Sequence, residues 1–148
     1  MANWCSNIIT FYGSRRDEVL NEFKSIEGKE EGHTFDYITN NHHYFFSVWI
    51  EGDEVVMETK WSPPIEEITE ICKNYDVTCE MYYEELGNMI YGCYKWNGKE
   101  GFYWDIEEID IRDLTFDDDG NPYWKGDPID SEYDLYEDIL AEKMSKSE

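Results

Sequence analysis

The chain has 148 residues, and 35 Asp and Glu against 12 Lys and Arg leave it with a formal charge of −23 at pH 7. A surface this negative repels nucleic acid and anionic membrane, and it suits a basic protein partner, a cation, or solubility alone. Disorder is argued against by aromatic residues at 17%, since six Trp, twelve Tyr and seven Phe supply ample apolar area for a core.

The first residues, Met1-Ala2-Asn3-Trp4-Cys5, show neither the basic nor the apolar region of a secretory signal. No apolar run reaches transmembrane length, so a cytosolic protein with no membrane partner is expected. Cys5, Cys72, Cys79 and Cys93 form no C-x-x-C pair and sit in apolar patterns. They read as small buried hydrophobes rather than zinc ligands or a disulfide framework.

In chain order, Asn7 to Tyr12 is β-rich and Gly13 closes it. Ser14 is placed to cap a helix, with Asp17 in capping-box position. Val19, Leu20, Phe23 and Ile26 then follow at helical spacing, and Gly28 is the expected C-cap. A charged loop spans Lys29 to Thr34. His42-His43 leads into a strand from Tyr44 to Ile50. Glu51-Gly52-Asp53-Glu54 turns into a second strand, Val55 to Trp61, with Val55, Met57, Thr59 and Trp61 on one face.

At Trp61-Ser62-Pro63-Pro64 the pattern switches from strand to helix, with Ser62 as cap and Pro63 in the first helical position. Ile65, Ile68, Ile71, Cys72 and Tyr75 form the clearest amphipathic stripe in the chain. Val77, Cys79, Met81 and Tyr83 alternate with polar residues as a half-buried strand, which Gly87 ends. Asn88 to Trp96 and Gly101 to Trp104 flank Asn97-Gly98, a strong hairpin signal. The order βαββαβ plus a hairpin predicts an α+β, ferredoxin-like fold, with two helices on one face of an antiparallel sheet and the other face open.

Two regions are expected: residues 1–104 as the ferredoxin-like domain and 105–148 as an acidic extension. The latter holds sixteen acids and four bases. Asp117-Asp118-Asp119-Gly120-Asn121-Pro122 is a turn by composition, and a short helix is expected from Ser131 on.

The opener Asn3-Trp4-Cys5-x-Asn7, the junction Trp61-x-Pro63-Pro64, and Tyr83-x-Glu85-x-Gly87 with Gly92 resemble the YubB-type ferredoxin-like proteins of phages and conjugative plasmids. The resemblance covers residues 1–104. It implies mobile-element origin and a ferredoxin-like core, gives these motif residues a structural role, and carries over no catalytic residues.

Cys5 with His33, His42 or His43 could make a nucleophile–base pair, but few cations surround Cys5 to lower its pKa. The Asp117–Asn121 run fails a calcium-loop template at both ends, where Thr115 and Gly126 stand. His42 and His43, as neighbours on a strand, should point to opposite faces, as should Glu84 and Glu85. Glu85 is expected to bond backbone near the Gly87 turn. The strand aromatics could stack bases, yet the charge disfavours phosphates.

The reading is a non-enzyme without cofactor, metal or direct nucleic-acid contact. It would bind a basic host protein, most sharply by phosphate mimicry that inhibits a defence nuclease or CRISPR effector. Asp117, Asp118, Asp119, Asp127, Asp130, Glu132, Asp134, Glu137 and Asp138 are the expected contacts. Two alternatives stand beside it. One is an aromatic pocket for a nucleotide signal, using Lys60, Lys95 or Arg112. The other is an interaction domain whose charge serves only solubility.

Overall fold

β1 (Trp4–Tyr12) alternates along its whole length, with Cys5, Asn7, Ile9 and Phe11 turned inward. That period of two is what a strand with one covered face requires. The structure, a computed structural model, describes residues 3–39 and 41–146.

α1 (Arg16–Lys24) buries Val19, Leu20 and Phe23. It starts later than the pattern suggests. Arg16 N donates to Gly13 O across a turn, so Arg15 rather than Ser14 holds the N-cap position, and no side chain caps it. It also ends earlier, at Lys24 with Ser25 as C-cap. Gly28 is drawn away from a capping role, because its amide donates to Val48 O at 3.0 Å.

β2 (Phe46–Glu51) and β3 (Glu54–Lys60) form a hairpin. β2 begins two residues after the expected start. Ser47 has φ +52°, the register shifts between Phe46 and Trp49, and Phe45 forms only an isolated bridge to His33. α2 (Ile65–Tyr75) buries Glu67, Ile68, Ile71 and Cys72. Its N-cap position is Pro64 and no side chain caps it, so neither Ser62 as cap nor Pro63 as first helical residue holds.

β4 (Thr78–Glu85), β5 (Ile90–Trp96) and β6 (Gly101–Asp105) complete the sheet. Asn97 Oδ1 accepts the amides of Lys99 and Glu100 at 2.9 Å, which shapes the β5–β6 turn. Strand order is β2-β3-β1-β4-β5-β6, with β1 antiparallel to both β3 and β4. Inward strand residues and the buried sides of α1 and α2 share one core, in which Phe23 contacts the rings of Phe11, Phe35 and Phe45. This is the ferredoxin-like α+β arrangement.

The chain divides between Tyr103 and Trp104 into two compact units. The second unit is more structured than an acidic extension suggests. It holds a three-stranded antiparallel sheet of β7 (Leu114–Phe116), β8 (Pro122–Trp124) and β9 (Asp127–Pro128), then α3 (Glu132–Lys146). Strands of two or three residues are too short to show alternation in sequence. Ile106, Tyr136 and Leu140 are buried, and Lys143 Nζ donates to Asp105 O at 2.7 Å and pairs with the Asp110 carboxylate.

Candidate functional site

Between β3 and α2 the chain makes a turn that an L residue adopts only under strain. Trp61 has φ +73°, and Ser62 N donates to Lys60 O at 2.9 Å. An i→i+2 bond around a positive φ is the rare, strained form of the γ-turn. Trp61 N donates to Asn3 O at 2.8 Å, which ties the turn to the start of β1.

Directly after this turn, Ser62 Oγ lies 2.8 Å from His43 Nε2. His43 Nδ1 lies 3.1 and 3.3 Å from the two carboxylate oxygens of Glu67. Glu67 is fully buried, and its Oε2 also accepts the amides of His42 and His43 at 2.6 and 2.7 Å. Burial alone would raise the Glu67 pKa. The bonds from the His43 ring and from backbone amides outweigh burial and hold it below its ordinary value of 4.5. An ionised Glu67 draws the imidazole proton to Nδ1, which leaves Nε2 to accept the Ser62 hydroxyl.

On its other side Ser62 joins a buried network. Thr59 Oγ1 donates to Ser62 O at 2.7 Å and accepts from Asn7 Nδ2 at 3.0 Å. Asn7 Nδ2 also reaches Cys5 O at 3.2 Å and Met57 O at 3.5 Å, and Cys5 Sγ donates to Asn7 Oδ1 at 3.7 Å. A continuous polar path thus runs Cys5–Asn7–Thr59–Ser62–His43–Glu67. It joins the opener and the Trp61–Pro64 junction, two motifs far apart in sequence. Cys5 is fully buried, and burial first, with Glu85 adding, pushes its thiol up to about 12, which disfavours a thiolate nucleophile.

Residues 34–123 match the family described as the ferredoxin-like domain in Api92-like protein. The chain belongs to this family. The matched segment includes His43, Thr59, Ser62 and Glu67, while Asn3 to Asn7 lie before it. The description names a ferredoxin-like domain and no catalytic activity. Neither the curated proteins nor the solved structures compared with the chain gave a match.

In this Api92-like chain His42 and His43 lie in the loop before β2, so strand alternation does not separate them. They converge on successive carboxylates of α2, His42 Nε2 on Glu66 at 3.2 Å and His43 on Glu67. Glu85 is nearly buried, and its Oε1 accepts Gly87 N at 3.0 Å. A Cβ at Gly87 would sit 2.8 Å from that oxygen, so the small residue and the acid are matched. Tyr83 is buried opposite Gly92. All four cysteines are buried free thiols. Burial pushes Cys93 up to about 12, and a bond to Cys79, followed by burial, raises Cys72.

Seven of the acidic residues singled out in the sequence, Asp118, Asp119, Asp127, Asp130, Asp134, Glu137 and Asp138, are exposed. The ion pairs Lys143–Asp110 and Lys146–Glu142 involve none of them. Asp117 differs. Its Oδ1 accepts the amides of Asp119 and Asn121 at 2.9 Å, and its Oδ2 accepts Asn121 Nδ2 at 3.1 Å. Those bonds hold its carboxyl below the usual range and commit it to the β7–β8 loop. Glu132 is half-buried and accepts the Tyr136 hydroxyl at 3.2 Å.

On the sheet face away from the helices, register aligns Trp49, Val56, Ile8 and Tyr82 in one cross-strand row. Trp49, Ile8 and Tyr82 are exposed. Glu54, Glu58, Glu80 and Glu84 flank the row, which is a poor platform for phosphates. Of the bases considered for a ligand pocket, Lys60 lies over the rings of Trp4 and Phe46, and Lys95 pairs with Glu80. Sequence reasoning missed Glu67 and Thr59 as site residues, weighed His43 only as a base for Cys5, and treated Ser62 only as a cap. One signal was present. Glu67 stands four residues before Ile71, on the edge of the apolar stripe, where an acid needs buried partners.

Proposed function

We propose that this chain is a binding module for a basic protein. In its sharpest form it occupies the nucleic-acid cleft of a host defence nuclease or CRISPR effector in place of phosphates. The observation that supports the reading is the set of seven exposed carboxylates on a folded unit, where backbone structure fixes their spacing. Asp134, Glu137 and Asp138 share one side of α3 at helical three- and four-residue spacing. A fixed array supplies both long-range steering and Arg–carboxylate pairing at contact. The resemblance of residues 1–104 to proteins of phages and conjugative plasmids supplies the setting, the cytoplasm of a bacterial host.

The test is an affinity capture from that host with the wild type and a variant carrying Asn or Gln at the seven positions. Capture by the wild type alone is expected, with affinity that falls steeply as salt rises. Equal capture by both would sink the mimicry. It would favour the second reading, an interaction domain anchored by the apolar row of the sheet, where Trp and Tyr suit hot spots. Trp49→Ala separates the two, since it should abolish capture only in the second case.

A further inference from the structure

We propose that Ser62 is the nucleophile of an acyl-transfer site, with His43 as its general base and Glu67 as the residue that positions the imidazole. This goes beyond binding a basic protein and stands independently of it. Three observations converge. The Ser62 Oγ–His43 Nε2 and His43 Nδ1–Glu67 distances of 2.8 and 3.1 Å give the hydroxyl–imidazole–carboxylate order that nucleophile activation requires. The strained turn at Trp61 sets Ser62 between a strand and a helix, the place where other folds present a nucleophilic serine. Finally, the Ser62 hydroxyl is not needed to hold its own segment. Its main-chain groups are held instead, Ser62 N donating to Lys60 O and Ser62 O accepting from the Thr59 side-chain hydroxyl.

The site is reachable, because Ser62 is partly exposed and the His43 side chain is 17% exposed, while Glu67 is sealed. Two amides soon after Ser62, those of Ile65 and Glu66, open α2 and have no acceptor within the helix. In the proposed step they supply the hydrogen bonds to the developing oxyanion. Glu66 and Glu67 beside the histidines disfavour an anionic substrate, so the class is an uncharged carboxylic ester.

In the step, Ser62 Oγ bonds to the carbonyl carbon and its proton passes to His43 Nε2. The bond to the leaving alkoxide breaks as Nε2 delivers that proton to it, which leaves an acyl-serine. Water then attacks the acyl carbon, gives its proton to Nε2, and the returning proton restores the Ser62 hydroxyl as the free acid departs.

The test is to expose the full chain to a fluorophosphonate probe, which phosphonylates an activated serine with loss of fluoride, and to locate the adduct by peptide mass spectrometry. Hydrolysis of p-nitrophenyl acetate is followed in parallel. The expected result is an adduct on Ser62, none in Ser62→Ala, and labelling slowed by about 10²-fold or more in His43→Gln. Glu67→Gln should lower kcat per folded molecule with KM unchanged, the folded fraction being fixed by circular dichroism so that mere loosening of the fold is separated from lost positioning. Should Glu67→Gln fail to fold, the Ser62 and His43 variants decide alone. No adduct on the folded wild type, an adduct elsewhere, or ester hydrolysis unchanged in Ser62→Ala would overturn the proposal.

Discussion

Carboxylates in the sheet unit and in the C-terminal unit are put to different uses, although both units carry similar net charge. In the sheet unit four of them are acceptors for backbone amides, in β2 as well as in loops and turns. Glu67 takes the amides of His42 and His43, Glu27 takes Ile50 N at 2.7 Å, Glu70 takes Thr39 N at 3.0 Å, and Glu85 takes Gly87 N. In the C-terminal unit most face solvent, while Asp117, Asp110 and Glu107 bind backbone amides. The lesson is that charge by itself did not mark importance here. An acid matters to this fold in proportion to the amides that depend on it, because a buried N–H left without an acceptor costs more than a solvated charge contributes.

The largest expected effect follows from that contrast. Glu67→Ala removes the acceptor of two amides and an imidazole, and each amide left without a partner costs about 1–3 kcal/mol. Asp138→Ala, on an exposed face of α3, should stay within about 0.5 kcal/mol. Urea unfolding of both variants measures the gap, and equal midpoints would erase the contrast. The pH dependence has a definite sign. Glu67 has a folded pKa below its unfolded value of 4.5, so its stabilisation is present above 4.5 and is lost as pH falls through the folded value. The difference in urea midpoint between wild type and Glu67→Gln should therefore shrink under acid. A gap that stays constant from pH 7 to pH 3 would contradict an ionised, hydrogen-bonded Glu67.

A smaller effect is expected at Thr59, where the fully buried hydroxyl both donates to Ser62 O and accepts from Asn7. Thr59→Val keeps the shape and strips both bonds, at a cost of about 1–3 kcal/mol for the polar groups left behind. If the path Cys5–Asn7–Thr59–Ser62 acts as one network, Asn7→Leu and Thr59→Val should be non-additive. A double-mutant cycle reads this directly, and strict additivity would mean that the two bonds are merely adjacent.

The ferredoxin-like core was legible because its signals are local and periodic. Cys5, Ile9 and Phe11 alternate, Ile68, Ile71 and Cys72 recur at helical spacing, and Asn97-Gly98 marks the last hairpin. What sequence did not yield depends on contacts without a period. Ser14 looked like a cap until the Gly13–Arg16 turn moved the helix start. Ser62 looked like a cap because its true partner, His43, is distant in sequence and enters from another loop. The β7–β9 sheet escaped notice because its strands are too brief to display a pattern, and the strong acidic composition there pointed toward solvent. The opener and the junction stand in the sequence as two separate motifs. The bond from Trp61 N to Asn3 O, which ties the junction to the opener, gives a physical reason for the two motifs to occur together.

The smallest effect tests whether carboxylates within the acidic unit can themselves be sorted. Asp117 and Asp118 are neighbours in one turn, yet Asp117 accepts loop amides while Asp118 is exposed. Asp117→Ala should speed hydrogen exchange at the amides of Asp119 and Asn121, which lose their acceptor, and leave the sheet unit unchanged. Asp118→Ala should alter neither amide. Conversely, if the exposed acids contact a basic partner, Asp118→Ala should weaken capture without disturbing the loop, whereas Asp117→Ala should weaken it only by loosening the loop that positions Asp118 and Asp119. Matching exchange rates in the two variants would show that the turn is held by backbone alone. The division between structural and solvated carboxylates would then not extend into this unit.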